Sequence, residues 1–406
     1  MQTRLSEKYI NTQLGQEAEA ILRSCVHCGF CTATCPTYQI LGDELDGPRG
    51  RIYLIKQMFE GEQCGEKTQR HLDRCLGCRA CETTCPSGVR YGRLLDIGRE
   101  LINQRTRRSF IQTASRNVLR KVLPFPKRFE FFLRIGQGIS TVLPQKLKRK
   151  IPARQNTIST HSAKHSRKML VLQGCVQSVA TPNTNAAASA ILDKLGIELE
   201  YVKEAGCCGA ISHHLSKSEE ALNFMRANID AWWPFVDKGI EAIVTTASGC
   251  GVTVKEYGVL LKHDQAYADK AQRISTLARD VSEIVAQEDL SKLTFNAKRA
   301  RRIAFHSPCT LQHGQKLDGV VERILTRAGF ELTHVKDAHL CCGSAGTYSL
   351  LQAQLSQQLL DNKITALEAG QPELIATANI GCQLHLNSKA QTPIVHWLEL
   401  LDQAIK

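Results

Sequence analysis

CVHCGFCTATCP, residues 25–36, and CLGCRACETTCP, residues 75–86, share one spacing, C-x2-C-x2-C-x3-C-P. Three cysteines within seven residues can wrap three corners of an iron-sulfur cube, while the fourth is carried off by the chain to a second cube. The spacing therefore predicts two [4Fe-4S] clusters with crossed ligands: Cys25, Cys28, Cys31 and Cys85 on one, and Cys75, Cys78, Cys81 and Cys35 on the other. The usual zinc arrangement, paired C-x2-C motifs separated by a longer loop, does not describe a duplicated four-cysteine run that ends in proline. Pro36 and Pro86 are expected to turn the chain away after the fourth cysteine. Gly29 and Gly77 are expected to let backbone approach sulfur where a side chain would collide. Arg74, Arg79 and Arg90 are candidates for tuning the clusters, against the plainer expectation that they form a solvated face.

Working outward, a helix is expected to end near Arg23, just before the first loop. Pro48 can open another between the loops, with Ile52, Ile55 and Phe59 on one face and Met58 beside them. Residues 1–100 thus form a helical, ferredoxin-like two-cluster domain. Two clusters in series make a wire, which implies an electron donor at one end and an acceptor at the other.

The chain has 406 residues and 17 cysteines. Its first residues, MQTRLSEKYINTQLGQEAEAIL, are polar and amphipathic and lack the apolar core of a secretory signal. Cysteine-rich sequence without an export signal points to metal ligation in a reducing cytoplasm rather than to a disulfide framework. No run reaches the roughly 18 apolar residues of a spanning helix, so any membrane contact is expected to be peripheral.

The net charge is +13, and residues 101–168 alone hold 17 Lys or Arg against one acid, Glu130, so the rest of the chain is slightly acidic. This segment, broken by Pro124, Pro126, Pro144 and Pro152 and fading into the polar stretch Gln155–Lys168, reads as a linker with helical pieces. Residues 122–150 interleave Phe125, Phe129, Phe131 and Phe132 with positive charge. That composition suits a helix lying on an anionic membrane surface, or one packed on a partner subunit. No nucleic-acid motif accompanies the charge, so nucleic acid is not an expected partner.

From Met169 the chain repeats. Cys175, Cys207-Cys208-Gly209 and Cys250 in one copy answer to Cys309, Cys341-Cys342-Gly343 and Cys382 in the other, 134 residues on at the first two positions. Short apolar runs precede the cysteines (MLVLQGC, EAIVTTASGC, RIAFHSPC, ELIATANIGC), and helical stretches such as Asn185–Leu195 and Val320–Ala328 lie between them. Each copy, residues 169–300 and 301–406, reads as a pseudo-symmetric α/β half with a parallel sheet and cysteines beyond its strand ends. Four thiols per copy suit an additional iron-sulfur cluster, a zinc ion or a redox dithiol. Scattered histidines, among them His213, His214, His313 and His339, are ligand candidates that are more often satisfied structural residues.

The Cys-Cys-Gly repeats resemble the cysteine-rich (CCG) domain family typified by the heterodisulfide reductases, whose motif ends in C-x2-C and ligates non-cubane clusters. Thr253 and His385 stand where that family has its last cysteine, which argues against thiol-disulfide catalysis. YADKAQRISTLARDVSEIV, residues 267–285, is similar to the helix that follows the first half in that family. The double-cubane loops, GDELDGPRGRIYLIKQ and two CCG halves together resemble the glycolate oxidase iron-sulfur subunits. Subunits of lactate-utilisation and anaerobic glycerol-3-phosphate dehydrogenase systems share the layout. The resemblance implies an electron-transfer subunit: FAD-binding partner subunits oxidise a 2-hydroxyacid such as glycolate, and electrons pass on towards quinone. No G-x-G-x-x-G fingerprint for a flavin follows a strand in this chain.

Overall fold

The computed structural model describes residues 1–156, 163–296 and 301–405, the side chains of residues 146 and 147 apart. Part of the stretch Gln155–Lys168 thus lies outside the described residues.

The N-terminal third is helical. Helix α1 (Gln13–Ser24) starts where the Thr12 side chain accepts a hydrogen bond from the Gly15 N–H, and it delivers Cys25 as its first extended residue. Helix α2 (Pro48–Glu60) has proline at its start and stops at Gly61, whose φ of 93° an L side chain resists. Its buried face carries Ile52, Ile55, Met58 and Phe59. Helix α3 (Tyr91–Arg105) crosses α2 closely enough that a Cβ on Gly98 would lie 2.7 Å from Ile55. Any larger residue there would force the two helices apart. Helix α3 also runs through residue 100 to Arg105, whose guanidinium donates to the Tyr9 hydroxyl and the Met58 carbonyl. The first five residues of the basic segment are therefore part of the helical core.

The basic segment continues as α4 (Phe110–Val122) and α5 (Pro126–Ile139). Of the four phenylalanines expected to face a membrane, two are engaged by the protein itself. Phe125 meets Phe224 at 5.8 Å between ring centroids, and Phe129 packs beside Ala180, Ala247 and Ile380. Phe131, Phe132, Ile135, Ile139 and Val142 are exposed. Among the described residues no helix is long and apolar enough to cross a membrane.

The rest of the chain forms two four-stranded sheets, parallel throughout. The first holds β1 (Arg167–Leu172), β2 (Ile197–Tyr201), β3 (Ile243–Thr245) and β4 (Ala278–Asp280) in the order β2-β1-β3-β4. The second holds β5 (Arg302–His306), β6 (Glu331–Leu332), β7 (Leu374–Thr377) and β8 (Ile394–His396) in the order β6-β5-β7-β8. The same register recurs: Leu172 pairs with Thr245 as His306 pairs with Thr377. In each sheet the strand order reverses between the two central strands, and the carboxyl ends of such strands open the crevice where α/β sheets build sites. Cys175 and Cys309 follow one central strand, and Cys250 and Cys382 follow the other.

Residues 267–285 are not one helix. They divide into Ala268–Leu277, strand β4 and a helix whose first turn is held by an Asp280/Glu283 capping box. The stretch Ala278–Asp280 enters the sheet edge, where its backbone pairs with β3. The two halves also exchange their last helices. Helix α6 (Pro182–Lys194) of the first half packs on the chain's last helix, whereas α7 (Val281–Gln287), ending the first half, packs on α8 (Val320–Arg327) of the second. The last helix, α9 (Trp397–Ala404), buries Trp397, Leu398 and Leu401 in one core continuous with both sheets. At about 1.5–3 kcal/mol for each large side chain so buried, this exchange ties the halves together.

Candidate metal centres

The two cysteine loops adopt one backbone with glycine at different points. The third residue of each is left-handed, His27 at φ 55° and Gly77 at φ 65°. So is the fifth, Gly29 at φ 86° and Arg79 at φ 63°. The loop thus needs two left-handed residues, and each copy assigns glycine to one of them. Around Gly77 a Cβ would meet no other protein atom within 4 Å, its chain neighbours apart. The two prolines differ from each other. Pro36 opens the helix Pro36–Leu41, where a missing N–H is no loss, while Pro86 lies in a turn.

The first loop and the tail of the second enclose an open cavity of about 440 Å³ whose wall includes Cys25, Cys28, Cys31 and Cys85. Burial, then the neighbouring Cys25 with Cys85 and Cys28, pushes the Cys31 thiol up to about 11. A second cavity of about 300 Å³ is lined by Cys35, Cys75, Cys78 and Cys81. Burial, then Cys78, Cys75 and Cys35, holds the Cys81 thiol well above its ordinary value. Thiols held as high as Cys31 and Cys81 lose their protons readily only to a metal, and each cavity gathers at least four cysteine sulfurs around one soft centre. The chemistry of both donor sets fits a [4Fe-4S] cluster.

The surroundings of the second cavity are built from charge. Thr37 Oγ1 lies 3.3 Å from Cys35 Sγ and donates to the Asp46 carbonyl, and it accepts from Arg51 at 3.2 Å. Arg51 and Asp46 are both buried, paired at 3.3 Å, and Arg74 and His71 reach the same carboxylate at 2.7 and 3.1 Å. The Tyr91 hydroxyl donates to Cys75 Sγ at 3.6 Å, and so does the Gly77 N–H at 3.4 Å. Arg74 and Arg79 do not form a solvated face. Arg74 is held by Asp46, and Arg79 by Glu256 of the first α/β half at 2.9 Å; Arg90 alone of the three is exposed.

The second loop is also the one docked on the α/β halves. The Tyr348 hydroxyl donates to the Arg74 carbonyl at 3.0 Å, and Thr83 Oγ1 meets His313 Nδ1 at 3.0 Å. Burial first and Cys309 second raise the Cys78 thiol, which puts the second cavity within electrostatic reach of the second half's cysteines. The first cavity faces outward: Cys28 is exposed, with Val26 67 % and Phe30 61 % accessible.

Each half gathers its four cysteines. Cys175 and Cys207 stand 3.6 Å apart, and Cys208 bridges the Cys207 and Cys250 thiols. Cys309 and Cys341 stand 3.9 Å apart, and Cys342 lies against both Cys341 and Cys382. In the second half a ring nitrogen of His306 and the sulfurs of Cys342 and Cys382 lie within 4.8 Å of one another. His306 was legible only by aligning the copies, three residues before Cys309 where the first copy has Leu172. Two of the four candidate histidines have structural partners. His213 pairs with Asp96 at 3.1 Å, and His313 meets the His339 carbonyl at 2.9 Å besides Thr83. At the position of the family's last cysteine, His385 Nε2 meets Ser356 Oγ and Thr253 donates to the Gly249 carbonyl.

A 4Fe-4S dicluster domain model matches residues 21–89, and a cysteine-rich (CCG) domain model matches residues 169–255 and 303–387. The chain is 54 % identical over 407 residues to the glycolate oxidase iron-sulfur subunit of Escherichia coli (strain K12), with all of both chains covered. It is 29 % identical to the probable glycolate oxidase iron-sulfur subunit of Bacillus subtilis (strain 168), over 91 % of this chain and 89 % of that one. It is 26 % identical to lactate utilization protein A of Bacillus velezensis, over 56 % of this chain and 96 % of that one.

Proposed function

The chain belongs to the family of glycolate oxidase iron-sulfur subunits, and from that premise we propose that it carries electrons singly out of a glycolate-oxidising complex whose FAD is held by partner subunits. Cys25, Cys28, Cys31 and Cys85 ligate one [4Fe-4S] cluster, and Cys75, Cys78, Cys81 and Cys35 the other. The eight other repeat cysteines, Cys175, Cys207, Cys208 and Cys250 with Cys309, Cys341, Cys342 and Cys382, are candidate ligands for further metal.

The observation that carries this reading is the pair of adjacent cavities, one lined by Cys25, Cys28 and Cys31 with Cys81 and Cys85 of the second run, the other by Cys75, Cys78 and Cys81 with Cys35 of the first. Bound there, iron-sulfur clusters supply one-electron transfer, which a two-electron flavin needs in order to unload stepwise. The protein's own part is to hold the thiolates, to exclude water from the inner quartet and to place the outer one at the surface. Glycolate as substrate rests on the relatives' name and on full-length coverage at 54 % identity; the lactate utilization protein leaves nearly half of this chain unmatched. Quinone as acceptor, and a cytoplasmic place on the inner membrane face through Phe131, Phe132 and Ile135, complete the proposal.

The test is iron and acid-labile sulfide counted on the anaerobically purified chain, with EPR after reduction by glycolate in the presence of the flavin subunits. At least eight irons and signals that appear on glycolate addition are expected; zinc, or no metal, overturns the reading. Co-sedimentation with anionic but not neutral liposomes tests the membrane element, and equal binding to both removes it. A heterodisulfide-reductase-like thiol enzyme is the competing class. Cys341→Ser separates the two, since loss of disulfide reduction supports that enzyme and loss of quinone reduction the carrier.

A further inference from the structure

The two α/β halves share a register, a strand order and a four-cysteine pattern, and they differ at two positions beside those cysteines. His306 and Leu172 are equivalent, because His306 pairs with Thr377 as Leu172 pairs with Thr245. One histidine nitrogen is fixed by the Thr377 hydroxyl at 2.9 Å, which locks the ring, and a ring nitrogen lies within 4.8 Å of Cys342 and Cys382. The second position follows from the Cys-Cys-Gly glycines. A Cβ on Gly209 would strike the Ala221 carbonyl at 2.9 Å, and one on Gly343 the Ser356 carbonyl at 2.7 Å. Ala221 and Ser356 are therefore equivalent, and seven residues on, Asn228 answers to Lys363.

Asn228 is neutral and satisfied, donating to the Cys207 carbonyl and the Tyr257 hydroxyl. Lys363 is 4 % exposed, and its ammonium donates to the carbonyls of Asp337 and Ala338. Among the described residues no carboxylate pairs with it. Burial works against that ammonium and lowers its pKa, and the groups that favour the charged form are Cys342, Cys341, the Asp337 carboxylate and Cys309.

We propose that the second half holds a third iron-sulfur cluster of mixed ligation, with His306 as its nitrogen ligand among Cys309, Cys341, Cys342 and Cys382 and with Lys363 as its buried counter-charge. This rests on the proposed reading of the repeat cysteines as metal ligands. A neutral Leu172 and Asn228 leave the first half without either device.

The experiment uses the whole chain purified anaerobically, as wild type, His306→Leu, His306→Cys and Lys363→Met. His306→Leu installs the residue that the first half already tolerates, and near-wild-type melting of that variant shows that it folds. In the wild type about twelve irons and a nitrogen coupling in the pulsed EPR spectrum of one reduced cluster are expected. His306→Leu loses the coupling, and His306→Cys restores iron without it. Lys363→Met keeps the coupling, but the reduction equilibrium of that cluster falls at least tenfold, about 59 mV for one electron. A coupling that survives in His306→Leu, or twelve irons with no coupling in the wild type, overturns the assignment. Eight irons, with or without zinc in the second half, also overturns it while leaving the two-cluster reading intact; fewer than eight strikes at that reading instead.

Discussion

In the loop of residues 25–31, Cys28 is exposed and Val26 and Phe30 stand mostly in solvent, whereas the loop of residues 75–81 has Cys75 and Cys81 buried under an Arg51–Asp46–Arg74 network and is clasped by Tyr348 and Glu256. The same local sequence, with the same two left-handed residues, is thus used once as a surface terminal and once as an internal station. The loops teach that spacing sets which metal is held, while the helices around it set who can reach the electron.

The strongest way to break the comparison is to test whether the ligands cross. Cys85→Ser is expected to strip about four irons from the outer site, and Cys35→Ser about four from the inner site. EPR after each change should lose the signal of the loop that was not mutated. Loss of the signal belonging to the mutated residue's own loop would show uncrossed ligation.

Next in size is the buried network. Arg51→Met leaves Asp46 deep in the protein with one guanidinium fewer, and a buried pair broken on one side is worth about 3–5 kcal/mol. Arg49→Met, at the outer loop, removes only a half-exposed pair with Glu44 and should change stability by less than about 1 kcal/mol. Denaturant midpoints of the metal-loaded variants decide, and equal effects would erase the distinction between inner and outer surroundings.

Smaller again are the hydrogen bonds to sulfur. Tyr91→Phe should lower the potential of the inner cluster in an EPR redox titration and leave the outer cluster where it is, since donors to sulfur favour the reduced form. A shift of the outer potential alone would reverse the assignment of surroundings.

The smallest effect probes the backbone. His27→Gly relieves a left-handed residue and should gain up to about 1 kcal/mol in stability. Arg79→Gly relieves the same strain but forfeits the Glu256 pair, so it should gain nothing. Thermal melts of the two variants side by side make the check.

Much of this was legible before the fold. The cysteine spacing, the Pro48 helix with Ile52, Ile55 and Phe59 inward, and the two parallel α/β halves all follow from local chemistry and periodicity. The failures share a cause. Phe125 and Phe129 read as free apolar residues because their partners, Phe224 and Ile380 among them, lie far along the chain. Residues 267–285 read as one helix because a short edge strand of three residues has too few positions to declare a period of two. His306 was invisible as a donor because an isolated histidine on a strand carries no spacing signal.

By itself the sequence determined the cysteine spacing, its grouping in fours and the duplication of each module, since these depend on distances of a few residues along a chain of fixed bond lengths. Only the tertiary structure decided which loop is buried, where the Arg51 and Lys363 charges sit and that the halves trade their last helices. Those outcomes depend on desolvation and packing between segments a hundred or more residues apart, and no local pattern encodes which distant surface will cover a given side chain.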